Sequence, residues 1–159
     1  MTYPVVRVDE LPNAASPATA KREVDEALDI ETFGFNVYTV DPGESVPWGM
    51  HSHPHHEELF YVLEGRLTVE TPEESLTVEA GEAIAIHAGQ ANRAHNAGTE
   101  TVRLVAAGAP KETDEAVIEE WCPTCEATTG RRSERVDDGD TVVLFCVGCG
   151  EETRRFSGG

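Results

Sequence analysis

The feature that most restricts how this chain can fold is the placement of its cysteines. All four fall between Cys122 and Cys149 as two Cys-x-x-Cys pairs, Cys122/Cys125 and Cys146/Cys149, with twenty residues between the pairs. Each pair can turn the backbone sharply and present two sulfurs, and four thiolates suit a tetrahedral ion with no open position, most readily Zn(II). A segment of about forty residues has too little core to fold unaided, so the binding energy of the ion has to supply the difference. Thr128–Val136 and Thr141–Phe145 read as a hairpin around Asp137-Asp138-Gly139-Asp140, and Gly150 permits the turn that points backbone amides at sulfur. The other readings of these residues are an iron centre with similar knuckles and a redox dithiol. The start of the chain has no apolar stretch of signal-peptide length, and no apolar run reaches the roughly 18 residues that a membrane span needs. The expected location is the cytoplasm, where paired cysteines ligate metal rather than form disulfides.

Ahead of the cysteines the chain is dominated by negative charge. It carries 30 Asp and Glu against 12 Lys and Arg, a net charge of −18, and only Lys21 and Lys111 are lysines. Such a surface suits a protein that stays hydrated and monodisperse at very high salt, so a halophilic source is one expectation; plain solubility is the other reading. The excess lies almost entirely in residues 1–120. That part should repel nucleic acid, and Arg131, Arg132, Arg135, Arg154 and Arg155 in the remainder read as solvated charge beside Glu134, Glu151 and Glu152.

Hydropathy then sets the fold class. Residues 1–32 read as an extended arm with a short helix at Lys21–Asp29. From Phe33 the period is two. Phe35, Val37 and Thr39 alternate with Asn36, Tyr38 and Val40; Leu59–Leu63, Arg66–Glu70, Ser75–Glu79, Ala83–Ile86 and Thr101–Ala106 follow, separated by glycine turns. Short strands at this spacing predict an all-β antiparallel barrel over residues 33–110. Lys111–Glu120 has acids in its first turn and reads as a connecting helix, with the cysteine module at 121–159.

The run from Met50 to Leu59 holds His51, His53, His55, His56, Glu57 and Glu58. On a strand, His51 and His53 share a face and can converge on one point, and imidazoles with a carboxylate form a donor set for Zn, Fe(II), Mn, Ni or Cu. Glu58 has the opposite parity and joins them only if the chain bends near Pro54–His56. The competing reading is an exposed histidine-rich loop. Phe35, Trp48 and Tyr61 are candidates to line a pocket, or simply core.

This segment resembles the first motif of the cupin family, His-x-His, a short gap, Glu, six residues, Gly, with His51, His53, Glu58 and Gly65 in register. Gly81, Gly89 and Asn96 fall on positions of the family's second motif, but His87 stands where the family has proline and Asn92 where it has its last histidine ligand. The four-cysteine segment resembles a zinc ribbon. The resemblance implies a double-stranded jelly-roll barrel with a divalent transition metal on His51, His53 and Glu58, completed by Asn92 or His87 or by one of His55, His56 and His95. It also implies Zn on Cys122, Cys125, Cys146 and Cys149, a small-molecule ligand or substrate in the barrel, and a homodimer. Cupins include dioxygenases, isomerases, decarboxylases, storage proteins and sensing domains, so the family fixes the fold better than the activity. The expectations for the barrel are therefore a ligand-holding metal protein, a metal-dependent dioxygenase or isomerase, or a sensing module whose ribbon docks a partner.

Overall fold

The structure is a computed structural model that describes residues 2–111 and 116–158. It is all-β, and its strands form two antiparallel sheets. The five-stranded sheet runs β1 (Ala20–Glu23), β2 (Gly34–Val40), β9 (Val102–Ala109), β4 (Glu57–Glu64) and β7 (Ala83–Ile86). The eight-stranded sheet runs β13 (Glu152–Ser157), β12 (Thr141–Cys146), β11 (Ala127–Val136), β10 (Val117–Cys122), β3 (Ser45–Ser52), β8 (Asn92–His95), β5 (Arg66–Glu70) and β6 (Ser75–Glu79). No helix among the described residues is long and apolar enough to cross a membrane.

The alternation seen in the sequence packs the barrel. Val40, Val46, Phe60, Val62, Leu67, Val69, Val102 and Leu104 are almost wholly shielded and form one core between the sheets. Burying each such side chain contributes about 1.5–3 kcal/mol. The chain passes from one sheet to the other at Gly65, whose φ of +79° is natural only for glycine, and where a side chain would strike Thr101 and Val102.

Three sequence expectations change. Lys21–Asp29 is not one helix: residues 20–23 are strand β1, paired with β2 from Ala20↔Thr39 to Glu23↔Asn36, and only α1 (Val24–Ala27) is helical. A short charged segment gains more from an open sheet edge than from an isolated turn of helix. Within the expected connecting helix 111–120, Val117–Cys122 is strand β10, while residues 112–115 lie outside the described residues. The β-branched Val117 and Ile118 take the vacant edge of β3, pairing Val117↔Ser52 and Ile118↔His51. The cysteine hairpin thus grows directly from the barrel sheet, and Ala15, Ile118, Val142 and Leu144 form a second small core against Trp48 and Phe156. Lastly, Tyr61 and Phe35 do not face the barrel interior, and Trp48 packs at a tilt against Phe156, ring centroids 4.9 Å apart; Tyr38 and Phe60 are the aromatic residues turned inward.

Candidate metal centre

His51 lies near the end of β3 and His53 just beyond it, while Glu58 is the second residue of β4, in the opposite sheet. The irregular segment at residues 53–56 makes the bend that the parity of Glu58 requires. His51 Nε2 comes to 3.6 Å from Glu58 Oε2, and His53 Nε2 to 3.5 Å from Glu58 Oε1. Donor atoms of the three residues all lie within 4.8 Å of one another.

The hydrogen bonds behind the rings orient them. His51, only 2 % exposed, has Nδ1 at 3.1 Å from the Gly49 carbonyl and 3.0 Å from the Asn92 carbonyl. Both neighbours are acceptors, so Nδ1 carries the proton and Nε2 turns a lone pair toward Glu58. His56 Nδ1 likewise donates to the Pro110 carbonyl at 2.7 Å, which leaves its Nε2 facing Glu58 Oε1 at 4.0 Å. Burial alone would push the Glu58 carboxyl up. The close approach of His51 and the positive charge that His51, His53 and His56 carry when protonated outweigh that, so its pKa sits below the ordinary value. A carboxylate and an imidazole lone pair at this distance repel unless a proton or a cation lies between them. His51 Nε2 and Glu58 Oε2 are both buried without a hydrogen-bond partner, as expected of atoms placed to share a cation.

The other candidates divide. Asn92 faces His51 directly across the β3–β8 ladder, is 1 % exposed, and has neither side-chain amide atom hydrogen-bonded. It therefore stands on the same face as His51, an amide beside the cluster. His87 does not join: its ring is exposed and bonded to Glu57 Oε1 at 2.9 Å. His95, of opposite parity to Asn92, turns away toward Glu70 at 3.9 Å. His56 is the added nitrogen that spacing did not single out from its neighbours. What admits it is Gly108 on β9, where any side chain would collide with its ring.

Glu58 also lines a cavity of about 250 Å³. Ladder registers build it: Glu58 lies across from Gly108, which lies across from Gly34, so the row carries no side chain on β9 or β2. The next row, Phe60, Ala106, Asn36 and Glu23, and then Val62, Leu104, Tyr38 and Lys21, close the interior.

Residues 36–108 match the family model for the cupin domain. The barrel has the cupin fold. Among solved structures, the chain is similar to a sugar phosphate isomerase from a cupin superfamily of Silicibacter pomeroyi, with 18% identity, a TM-score of 0.62, and 95% of this chain and 92% of that one covered. It is also similar to a predicted oxalate decarboxylase from Thermotoga maritima, with 22% identity, a TM-score of 0.58, and 67% and 99% covered. At these identities the likeness concerns the fold. A curated relative, the polyketide synthase CurC of Streptomyces cyaneus, is 38% identical over 64 residues, and the match spans 40% of each chain.

Beyond the cupin barrel, the four cysteines form a second cluster, with every sulfur within 4.8 Å of the others. Cys122 and Cys149 Sγ lie 3.7 Å apart and Cys125 and Cys146 Sγ 3.8 Å apart, and none is in a disulfide. A tetrahedron with metal–sulfur bonds of about 2.3 Å has an edge of about 3.8 Å, so the spacing is that of a four-thiolate ion site. The hydroxyl of Thr129, at 3.1 Å, and then the backbone amides behind it bring the Cys146 thiol down to about 5. The two knuckles match: the residue after each pair, Glu126 and Gly150, has positive φ, 51° and 79°.

Arg131, read from sequence as solvated charge, is buried. It donates to the Thr129 hydroxyl at 2.7 Å and to the carbonyls of Glu120 and Trp121 at 3.1 and 3.0 Å. Burial of the charge is tolerated because the terminal guanidinium nitrogens find acceptors, partly on the backbone of β10, while Nε, without a hydrogen bond of its own, lies 3.7 Å from the Glu120 carboxylate.

Proposed function

We propose that this chain is a metal-binding cupin protein that holds a small-molecule ligand or substrate in its barrel, with a structural zinc ion on its four cysteines. The observation that carries the reading is the pair of buried, unpartnered atoms His51 Nε2 and Glu58 Oε2, facing one another beside His53. His51, His53 and Glu58 would hold a divalent ion of Fe, Mn, Ni, Zn or Cu, with Asn92 and His56 beside it. A bound ion would supply Lewis-acid or oxygen-activating chemistry. The protein's own part is to fix the imidazole tautomers through the Gly49, Asn92 and Pro110 carbonyls, and to keep bulk water out with Tyr38 and Phe60.

A metal-dependent enzyme, an isomerase or a dioxygenase, is the second reading. It is favoured by Glu58 being shared between the cluster and an adjacent cavity, so that a ligand there would lie against the ion. The fold likeness to a sugar phosphate isomerase points the same way by analogy alone. Leu59, Tyr61 and Leu63 are each about 40% exposed in a row along β4, which supports a homodimer as part of the proposal.

The test is metal content per chain by plasma mass spectrometry, on untagged wild type and on the His51→Ala/His53→Ala variant. Two ions in wild type and one, zinc, in the variant is the expected result. One zinc in both would remove the barrel ion and the enzyme reading with it.

A further inference from the structure

We infer that the cavity beside Glu58 receives a small neutral molecule bearing several hydroxyl groups, and that Lys21 and Asn36 grip the end of it farthest from Glu58. The inference rests on the barrel ion proposed above. This chain has only two lysines, and both line this one cavity. They do different work. The ammonium of Lys111 is fully engaged, donating to Asp25 at 2.8 Å, to Glu26 at 2.9 Å and to the Ile30 carbonyl at 2.7 Å. It clamps α1 to the rim and has no hydrogen left for a ligand. Lys21, with its side chain 16% exposed, makes one charge-assisted bond among the described residues, to Glu23 at 2.6 Å. Two of its three hydrogens therefore remain to be donated on the cavity side of β1.

Next to it, across the β1–β2 ladder, stand Tyr38 and Asn36, and the Asn36 Oδ1 atom is buried without a partner. The β1–β2 wall thus offers both donors and acceptors, while Phe60, Ala106, Ala107 and Val46 add apolar surface. Hydroxyl groups on a short carbon frame present both kinds of surface.

Charge decides against an anion. The ionised groups around the cavity are the carboxylates of Glu23, Asp25, Glu26 and Glu58 and the ammonium groups of Lys21 and Lys111. A divalent ion on Glu58 brings the sum to zero, so a phosphate or a second carboxylate would enter a cavity with no spare positive charge, which is costly. The cavity volume, about 250 Å³, is below the ~300–1,000 Å³ of drug-sized pockets, which limits the ligand to a few carbons.

The experiment is a titration of the full chain, with its metal content measured beforehand, followed by the side-chain amide signal of Asn36 and the ammonium-bearing methylene of Lys21 in heteronuclear NMR. D-ribose and D-xylose are the neutral probes; ribose 5-phosphate and malonate are the anionic ones. The pentoses should move both signals, and Lys21→Met and Asn36→Leu should each weaken their binding by about tenfold or more while leaving metal content unchanged. No movement with either pentose, or tighter binding of ribose 5-phosphate than of ribose, would overturn the inference. Because metal content is read separately, two ions per chain with no pentose binding would sink only this inference, whereas a single ion would sink the reading beneath it.

Discussion

The four cysteines come together from two local turns of one hairpin unit, whereas the histidine cluster is assembled across two sheets, with His51 on β3 and Glu58 on β4. The first set is saturated: four sulfurs at tetrahedral spacing leave no position for anything else. The second has three donors, an amide in place of a third imidazole, and a cavity on one side. A closed site contributes binding energy to folding, while an open one keeps a face for chemistry or for a ligand. The contrast also sets which perturbations should travel, because β10 belongs to the cysteine hairpin and yet pairs with β3 at Ile118↔His51.

The sharpest way to break this contrast is Cys146→Ser. Structural zinc in small modules is worth about 10–16 kcal/mol, so the variant should lose one ion per chain and the order of β11, β12 and β13, detectable as protease cleavage after residue 126. The barrel core has its own well-buried residues and should persist as a separate, later thermal transition. Its ion should bind about tenfold more weakly, since an edge that positions β3 has been lost. A single unchanged melting transition would mean that the hairpin is held by its apolar contacts and not by the ion.

A smaller effect is expected at Arg131, the buried link between the two regions. Its guanidinium touches Thr129, which in turn bonds the Cys146 sulfur, and its Nε lies 3.7 Å from Glu120, whose carboxylate presses on β3 where Gly49 has no side chain. Arg131→Met keeps the length and removes the charge. Loss of one partner of a buried, hydrogen-bonded pair costs about 3–5 kcal/mol, here reduced because Arg154 still holds Glu120 at 3.2 Å. Urea unfolding should therefore show a loss of about 2–3 kcal/mol with both metals retained at full occupancy. A change within a few tenths of a kcal/mol would mean that the barrel and the hairpin are joined by β10–β3 pairing alone.

What was legible in the sequence follows from the range of the interactions involved. Strands β2, β4 to β7 and β9 could be read because alternation is local, and the cysteine site because each pair makes its own turn. The Glu58 bend was legible as a condition on parity, with Pro54 as its sign. Strands β1 and β10 were hidden because both take the edge of a partner distant in sequence, and the charged Lys21–Glu23 and acidic Glu119–Glu120 carry helix-like composition. The inward turn of Tyr38 in place of Phe35, and the burial of Arg131, depend on which face of a strand meets the other sheet. A one-residue change of parity exchanges those faces, and the alternating pattern of β2 is apolar on both sides, so it could not choose.

The smallest effect sharpens the contrast most. Asn92 faces His51 across the ladder with both of its amide atoms unbonded, so Asn92→His would bring an imidazole to the side where the cluster lacks a donor. Exchanging an amide oxygen for imidazole nitrogen favours a borderline transition metal, and the barrel ion should bind about tenfold more tightly, a gain of about 1.4 kcal/mol, measured by competition with a chelator. The larger ring also has to fit a site that is 1 % exposed, so part of the gain returns as packing strain of about 1 kcal/mol and the melting temperature of the metal-free protein should fall slightly. The result distinguishes two ways of completing the cluster. Tighter binding means that the position beside His51 was short of a donor. Unchanged affinity, together with weaker binding in His56→Ala, means that His56, already turned toward Glu58 by the Pro110 carbonyl, supplies the fourth donor and Asn92 was left free to face the ligand.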